Sequence, residues 1–235
     1  MKLDQHFLIN EKIAKLMVSK CKITKDSIVV EIGPGNGEVT KFIPKCHLTL
    51  IEMDYELVEK LRERFDAKII VGDGVEQLKK RNFDFLISSV PYSISEPLVW
   101  ELMMHDFEKA VLILPEKFVE NILNPETAFS FIANDLLKIK IIRKLEKEDF
   151  EPKPRADSVV AEIIKNKKAS RIIEKAVLQH DKKLKNALRE AIVEAKKATK
   201  RQAKEIIKKL DFDEKALGKS IKTASIEVLR KIAHL

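Results

Sequence analysis

The sequence predicts an α/β fold, a largely parallel sheet with crossover helices, followed by a small C-terminal all-helical domain. Three observations carry this. Short apolar runs at 29–32, 47–52, 67–71, 83–88 and 109–114 alternate with amphipathic stretches, the pattern of a parallel sheet built from βα units. The first run stops at Gly33, Gly35 and Gly37 and restarts as a helix-compatible segment, so it reads as strand, tight loop, helix. All eight prolines and five of the six glycines precede residue 169. The remainder, rich in Lys, Ala, Ile and Leu, therefore reads as helices near 170–180, 183–197, 200–209 and 225–234. These expectations place one domain at 1–168 and a second at 169–235.

Composition excludes several classes. At 235 residues and 45% hydrophobic content the chain can bury a real core. Its longest apolar runs fall far short of the roughly 18 residues that a membrane span needs. The N-terminus lacks a basic region followed by an apolar stretch, so it does not read as a secretory signal. Cys21 and Cys46 read as reduced structural thiols of a cytoplasmic protein. The five histidines are scattered and form no metal motif with them. No membrane and no metal are expected, and the chain is expected to be a monomer. Charge is uneven: residues 1–168 hold 27 Lys and Arg against 28 Asp and Glu, whereas 169–235 hold 18 against 9. Such a tail suits a polyanion, most simply nucleic acid. A solvated Lys-rich surface is the other explanation.

Taken in order, Asn10 is a cap for a helix that sets Ile13, Leu16 and Met17 on one face. Just ahead of it, Gln5, His6, Phe7 and Leu8 read locally as a hydrophobic staple. The alternative is a lid, with Gln5 and His6 polar and Phe7 and Leu8 as anchors. The glycines of 33–37 permit positive φ and a close approach that a side chain would obstruct. They serve either a ligand or a structural turn, and their spacing differs from the dinucleotide G-x-G-x-x-G. Glu52 ends the second strand about 20 residues later, where a Rossmann-like sheet holds ribose hydroxyls. Asp54 reads as a helix cap. After the third strand, Asp73 between Gly72 and Gly74 stands where an adenine ring would lie, or else forms an Asx-turn. The ligand expected is a ribosylated purine.

The fourth strand runs into Ser89, Val90, Pro91 and Tyr92, which narrows the chemistry. The amine of adenine or cytosine is a poor nucleophile because its lone pair is delocalised into the ring. Acceptors aimed at its two N–H hydrogens localise that pair, and an aromatic face holds the ring. Ser89 and the carbonyl of Val90 are the acceptors in this reading, with Pro91 fixing the turn and Tyr92 the platform. An ordinary X-Pro turn with a half-buried tyrosine is the alternative.

Taken together, 5–8, 31–37, 52–54, 72–74, 90–95, 150–158 and 180–188 resemble the ribosomal RNA adenine dimethyltransferases, over nearly the whole chain. The resemblance implies a Rossmann-like S-adenosylmethionine-dependent methyltransferase that dimethylates adenine N6 in small-subunit ribosomal RNA during ribosome biogenesis. Its partner is that RNA or a pre-ribosomal particle. Gln5, His6, Leu8, Gly33 and Gly35 then meet the cofactor, Glu52 its ribose, Asp73 its adenine, and Ser89 both cofactor and target. The chain departs from the family's usual Asn-Leu-Pro-Tyr in having Ser89 where asparagine is expected, which bears on rate and methyl count. The stretch 124–130 also departs from the family's loop near the target base.

Later segments complete the reading. Residues 97–103 read as a buried helix with Trp100 in the core, and 138–145 with 159–164 read as a terminal hairpin. Phe150 is either a second face for a flipped adenine or a loop anchor. Lys182, Lys183, Lys185 and Arg189 form a phosphate-contacting patch. Two rivals remain: an RNA-binding assembly factor without methyl transfer, and a nicotinamide-dependent oxidoreductase.

Overall fold

The computed structural model describes residues 6–235. Its strands are β1 (Phe7–Leu8), β2 (Ile28–Ile32), β3 (His47–Glu52), β4 (Lys68–Val71), β5 (Phe85–Ser89), β6 (Lys109–Pro115), β7 (Leu137–Leu145), β8 (Phe150–Glu151) and β9 (Ser158–Lys165). Its helices are α1 (Glu11–Ser19), α2 (Tyr55–Arg64), α3 (Gly74–Leu78), α4 (Ser95–Met104), α5 (Glu116–Leu123) and α6 (Ala128–Leu136). Beyond β9 follow α7 (Arg171–Val177), α8 (Leu184–Lys196), α9 (Lys200–Lys209), α10 (Glu214–Gly218) and α11 (Ile226–Ala233).

The chain divides into two compact units, one of residues up to 120 with 139–165 and one of 121–138 with 166–235. The first unit holds a seven-stranded sheet in the order β4-β3-β2-β5-β6-β9-β7. Strands β2 to β6 are parallel, and β9 runs antiparallel beside β6. In β6, Ala110 to Leu114 are all within 1% of complete burial, as expected of a strand covered on both faces. Strand order reverses direction between β2 and β5. The crevice at their carboxyl ends is therefore the topological switch point where such sheets receive ligands.

Helix caps follow local chemistry. The Asn10 side chain accepts from Lys12 N, and that of Asp54 from Glu56 N, satisfying backbone donors that the first turn leaves open. Ile13 and Met17 of α1 are fully buried beneath the sheet strands. The hairpin expected from 138–145 and 159–164 forms as adjacent β7 and β9. Trp100 is half-buried on α4.

The segment read as a staple ahead of α1 is instead a strand. Phe7 pairs with Glu151 and Leu8 with Phe150. A partner so far along the chain leaves no trace in local sequence pattern. Helices α3, α5, α6 and α10 likewise have no counterpart in the local pattern, and the helix read after the glycine loop is only a 3-10 turn at Thr40–Phe42. The stretch 124–130 contains the start of α6, where Thr127 and Ser130 form a reciprocal capping box. Serine replaces the Glu or Gln that usually completes that signature, so the usual sequence mark of a helix start is absent here.

In the second unit, Ile132 and Leu136 of α6, Ile173 and Val177 of α7, and Leu184, Leu188 and Ile192 of α8 are buried. The segment 121–138 belongs to this unit, although it precedes residue 168 in sequence.

Candidate functional site

One cavity of the first unit lies over the carboxyl ends of the parallel strands. It is lined by His6, Phe7 and Leu8, by residues 31–35, by Glu52 and Met53, by 72–74, by 89–94 and by Phe150, among others. The strands fix these positions. Ile32, Glu52, Val71 and Ser89 each end a strand of the same sheet, and Ser88 Oγ donates to the Ile32 carbonyl at 2.5 Å, joining β5 to β2 at the switch point.

The glycines do different jobs. Gly33 and Gly35 have φ of +62°, a region that costs other L-residues roughly 1–2 kcal/mol. A Cβ on Gly33 would meet only Pro91, at 3.9 Å, so its open side faces the cavity. A Cβ on Gly35 would lie 2.9 Å from Phe7. The large group that comes close to Gly35 is thus a protein ring. Gly37 and Gly74 are small for packing reasons: added carbons would strike Phe65 and Ile32 respectively. Only part of the glycine pattern therefore concerns a ligand.

Carboxylates dominate the electrostatics. Glu52 Oε1 accepts from Met53 N at 2.8 Å and Asp54 N at 3.0 Å, and Oε2 from Gly35 N at 3.4 Å. Burial pushes the Glu52 carboxyl above its ordinary range, against the pull of those backbone donors. Glu31 is 1% exposed and accepts from Thr40 Oγ1 at 2.7 Å. Burial raises its pKa to about 8, opposed by Thr40 and reinforced by Glu38 and Glu52. Asp73 caps α3 by accepting from Glu76 N at 2.9 Å, so the turn and the cavity wall share one side chain. Glu31, Glu38, Glu52 and Asp73 all line the cavity, and no lysine or arginine is among its described lining residues.

The turn after β5 completes the wall. Val90 is buried and its N–H reaches the Ile113 carbonyl at 3.4 Å. The Tyr92 and Ser158 hydroxyls are hydrogen-bonded to each other. The His6 ring stands 6.1 Å from the Tyr92 ring, tilted by 32°, and His6 Nδ1 lies 2.8 Å from the Pro152 carbonyl. Phe150 is 3% exposed and belongs to the apolar core of this unit while also lining the cavity. Its strand pairing and burial are those of an anchor.

The structure thus brings together His6, Leu8, Gly33, Gly35, Glu52, Asp73, Ser89, Val90, Pro91, Tyr92 and Phe150. Gln5 lies outside the described residues. Lys182, Lys183, Lys185 and Arg189 are in the second unit. There Lys182 Nζ is 2.6 Å and Arg189 Nη2 3.9 Å from Glu190, so this acid draws in two of the four cations. Lys183 and Lys185 are exposed. Residue reading missed Glu31, Glu38 and Met53 as wall residues. Met53, 51% exposed, carried a signal in being apolar between two acids. Among the described residues, no cluster of His, Cys, Asp and Glu could hold a metal, and no helix is long and apolar enough to cross a membrane.

A purine nucleoside carrying a sulfonium and an amino-acid tail fits this cavity. The glycine turn leaves backbone exposed at Gly33, Glu52 ends β3 at the position where Rossmann-like sheets place a ribose-binding acid, and the surrounding acids suit a ligand with more positive than negative charge. A pyrophosphate fits it less well, since four acidic side chains and no lysine or arginine are among the described lining residues.

Comparison with known proteins agrees. The family model described as ribosomal RNA adenine dimethylase matches residues 1–225. A probable ribosomal RNA small subunit methyltransferase A of Pyrococcus furiosus is 32% identical over 198 residues, covering 78% of this chain and 72% of that one. Another, of Methanopyrus kandleri, is 27% identical over 234 residues, covering 90% and 84%. Among solved structures, a dimethyladenosine transferase from Plasmodium falciparum shares the fold with a TM-score of 0.64 at 22% identity, over 96% of this chain and 95% of its own. The 23S rRNA methyltransferase ErmE does so with a TM-score of 0.61 at 16% identity, over 97% and 98%. With a sheet that gathers the expected residues at its switch point and a family match spanning both units, this chain belongs to the ribosomal RNA adenine dimethylase family of methyltransferases.

Proposed function

We propose that this protein methylates the N6 amine of an adenine in small-subunit ribosomal RNA, twice per base, drawing methyl groups from S-adenosylmethionine. The observation that carries the reading is one cavity lined by Gly33, Glu52, Asp73 and the Ser89–Tyr92 turn, with four acidic side chains and no lysine or arginine among its described lining. When bound, S-adenosylmethionine supplies a methyl group whose sulfonium carries its own electrophilicity. The chain's task is therefore orientation. Glu52 accepts from ribose hydroxyls, Asp73 from the adenine amine of the cofactor, and Gly33 gives room to its amino-acid end. His6 and Leu8 close the cavity from the β1 side, and Gln5 belongs to the same contact segment.

For the target base, the Ser89 hydroxyl and the Val90 carbonyl accept from the amine N–H groups and localise its lone pair, while Tyr92 supports the ring. No general base is invoked, because the methylated nitrogen is acidic enough to release its extra proton to water. The base must leave its stack, which favours an RNA loop over an intact duplex. The basic helical domain, drawn in sequence at 169–235, holds the RNA through phosphates, with Lys182, Lys183, Lys185 and Arg189 as contacts and Phe150 supporting the turn that receives the base. The RNA is presented alone or within an assembling particle.

The deciding experiment supplies labelled S-adenosylmethionine and small ribosomal subunits lacking the modification, then digests the RNA for nucleoside mass analysis. N6,N6-dimethyladenosine is expected. Monomethyladenosine alone would limit the reading to one transfer. No label, with RNA and cofactor both bound, would replace it with an RNA-binding assembly factor.

A further inference from the structure

Ser158 is a polar residue in the interior with no part in the chemistry described so far. It is 2% exposed and opens β9, where its register partner on β6 is Pro115. One residue earlier, the Asp157 carbonyl accepts from Glu116 N at 2.9 Å, so the backbone here is held by the ladder and by the chain leaving it. Because β9 runs antiparallel to β6, its first residue stands at the carboxyl end of the parallel strands. Ser89 pairs with Ile113 of β6, two residues before the partner of Ser158. The hydroxyl thus projects from a rigid strand beside the turn that follows β5.

What it meets is Tyr92 Oη. Tyr92 begins a 3-10 turn, residues Tyr92–Ile94, whose N-cap residue Pro91 makes no side-chain cap hydrogen bond. A tyrosine on such a turn has two side-chain torsions to settle, and its ring plane decides whether a base can lie against it. Burying a hydroxyl without a partner is costly, so Ser158 and Tyr92 satisfy each other and thereby fix the ring at its far end. The His6 ring lies against the same tyrosine, and His6 is held to the Pro152 carbonyl, six residues before Ser158. The segment 150–158 therefore reaches the His6 and Tyr92 side chains of the cavity.

We infer that Ser158 is a positioning residue, which sets the plane of the Tyr92 ring through its hydroxyl so that the target adenine is held for attack. The inference rests on the proposed adenine chemistry, and it predicts where a defect appears. Ser158→Ala should lower kcat about tenfold, the scale of one hydrogen bond removed, with KM for RNA and Kd for S-adenosylmethionine within twofold of the parent. Ser158→Thr, which keeps the hydroxyl, should recover most of the rate. Tyr92→Phe should reproduce the loss, and the double variant should be no slower than Tyr92→Phe alone, because both remove the same hydrogen bond.

A direct readout is available because Tyr55 and Tyr92 are the two tyrosines of the chain. With 3-fluorotyrosine incorporated, the ¹⁹F signal of Tyr92 should move or split in Ser158→Ala while that of Tyr55, 72% exposed, stays in place. An unchanged Tyr92 signal, or additive losses in the double variant, would overturn the inference. Should Ser158→Ala fail to fold, Ser158→Thr and Tyr92→Phe carry the same comparison, and a Tyr92→Phe enzyme of full kcat would sink it. If the parent transfers no methyl, the adenine chemistry fails instead, and the ¹⁹F comparison still reports on the hydrogen bond between Tyr92 and Ser158.

Discussion

A Cβ placed on Gly35 would lie 2.9 Å from Cδ1 of Phe7, so the glycine turn and the first strand are fitted to each other across the mouth of the cavity. Gly33, at the same φ of +62°, has no such neighbour. Alanine at the two positions should therefore behave differently. Gly33→Ala carries the backbone strain of roughly 1–2 kcal/mol and adds a carbon on the side that opens to the cavity. Gly35→Ala carries that strain and also displaces Phe7. Chemical denaturation should show the larger stability loss for Gly35→Ala, whereas calorimetric titration with S-adenosylmethionine should show binding abolished in both.

Glu52 holds its carboxylate by backbone donors on its own turn and on Gly35, which leaves it aimed at the cavity. Glu52→Gln should weaken S-adenosylmethionine binding about 10- to 100-fold, the range expected for hydrogen bonds to a charged acceptor. Titration calorimetry at pH 7.5 checks this. An affinity equal to that of the parent would remove Glu52 from the ribose role.

The buried acids make stability fall as pH rises. The folded pKa of Glu31 is raised to about 8 from an ordinary 4.5. Between those values the folded chain keeps a proton that the unfolded chain has released, so alkali favours unfolding. At about 1.4 kcal/mol per pH unit, the effect across the window is several kcal/mol, and it levels off above pH 8. Glu31→Gln should flatten the thermal midpoint between pH 5 and 8. A profile as steep as that of the parent would show that Glu31 is charged in the fold.

Ser89 stands at the end of β5 on the cavity wall. If Ser89 accepts from the target amine as proposed, Ser89→Ala should lower kcat by about 10²- to 10³-fold, as removal of a preorganised polar group does, with little change in RNA affinity. Single-turnover methyl transfer measures it. Ser89→Asn should retain activity, and the ratio of dimethyl to monomethyl product will show whether the shorter acceptor limits the second transfer.

Cations of the basic patch should contribute unequally. Lys182 is held by Glu190 at 2.6 Å, whereas Lys183 and Lys185 are exposed. Replacing Lys183 and Lys185 by Ala should reduce the slope of log affinity against log salt by about 0.7 for each RNA phosphate that is no longer neutralised. Lys182→Ala should change it less. Filter binding across a salt series separates them, and equal slopes would refute the ranking.

Much of this protein is decided by sequence alone, because its signals are local. The stop at Gly33, the carboxylate of Glu52, Asp73 between glycines and the Ser89–Tyr92 turn each stand at the carboxyl end of a strand. Parallel strands joined by crossovers all end on the same side, so chain order already implies that these residues converge. Helices capped by Asn10 and Asp54 were legible for the same reason: cap and first turn are neighbours in sequence. What tertiary structure decided depends on partners distant in the chain. The pairing of β1 with β8, the collision that keeps Gly37 small against Phe65, and the capture of Lys182 and Arg189 by Glu190 set the roles of residues whose local pattern suggested other ones. The hydroxyl of Ser158 belongs with them. Sequence shows a serine at the start of a strand, and only the register of β9 on β6, laid beside β5, brings it to Tyr92.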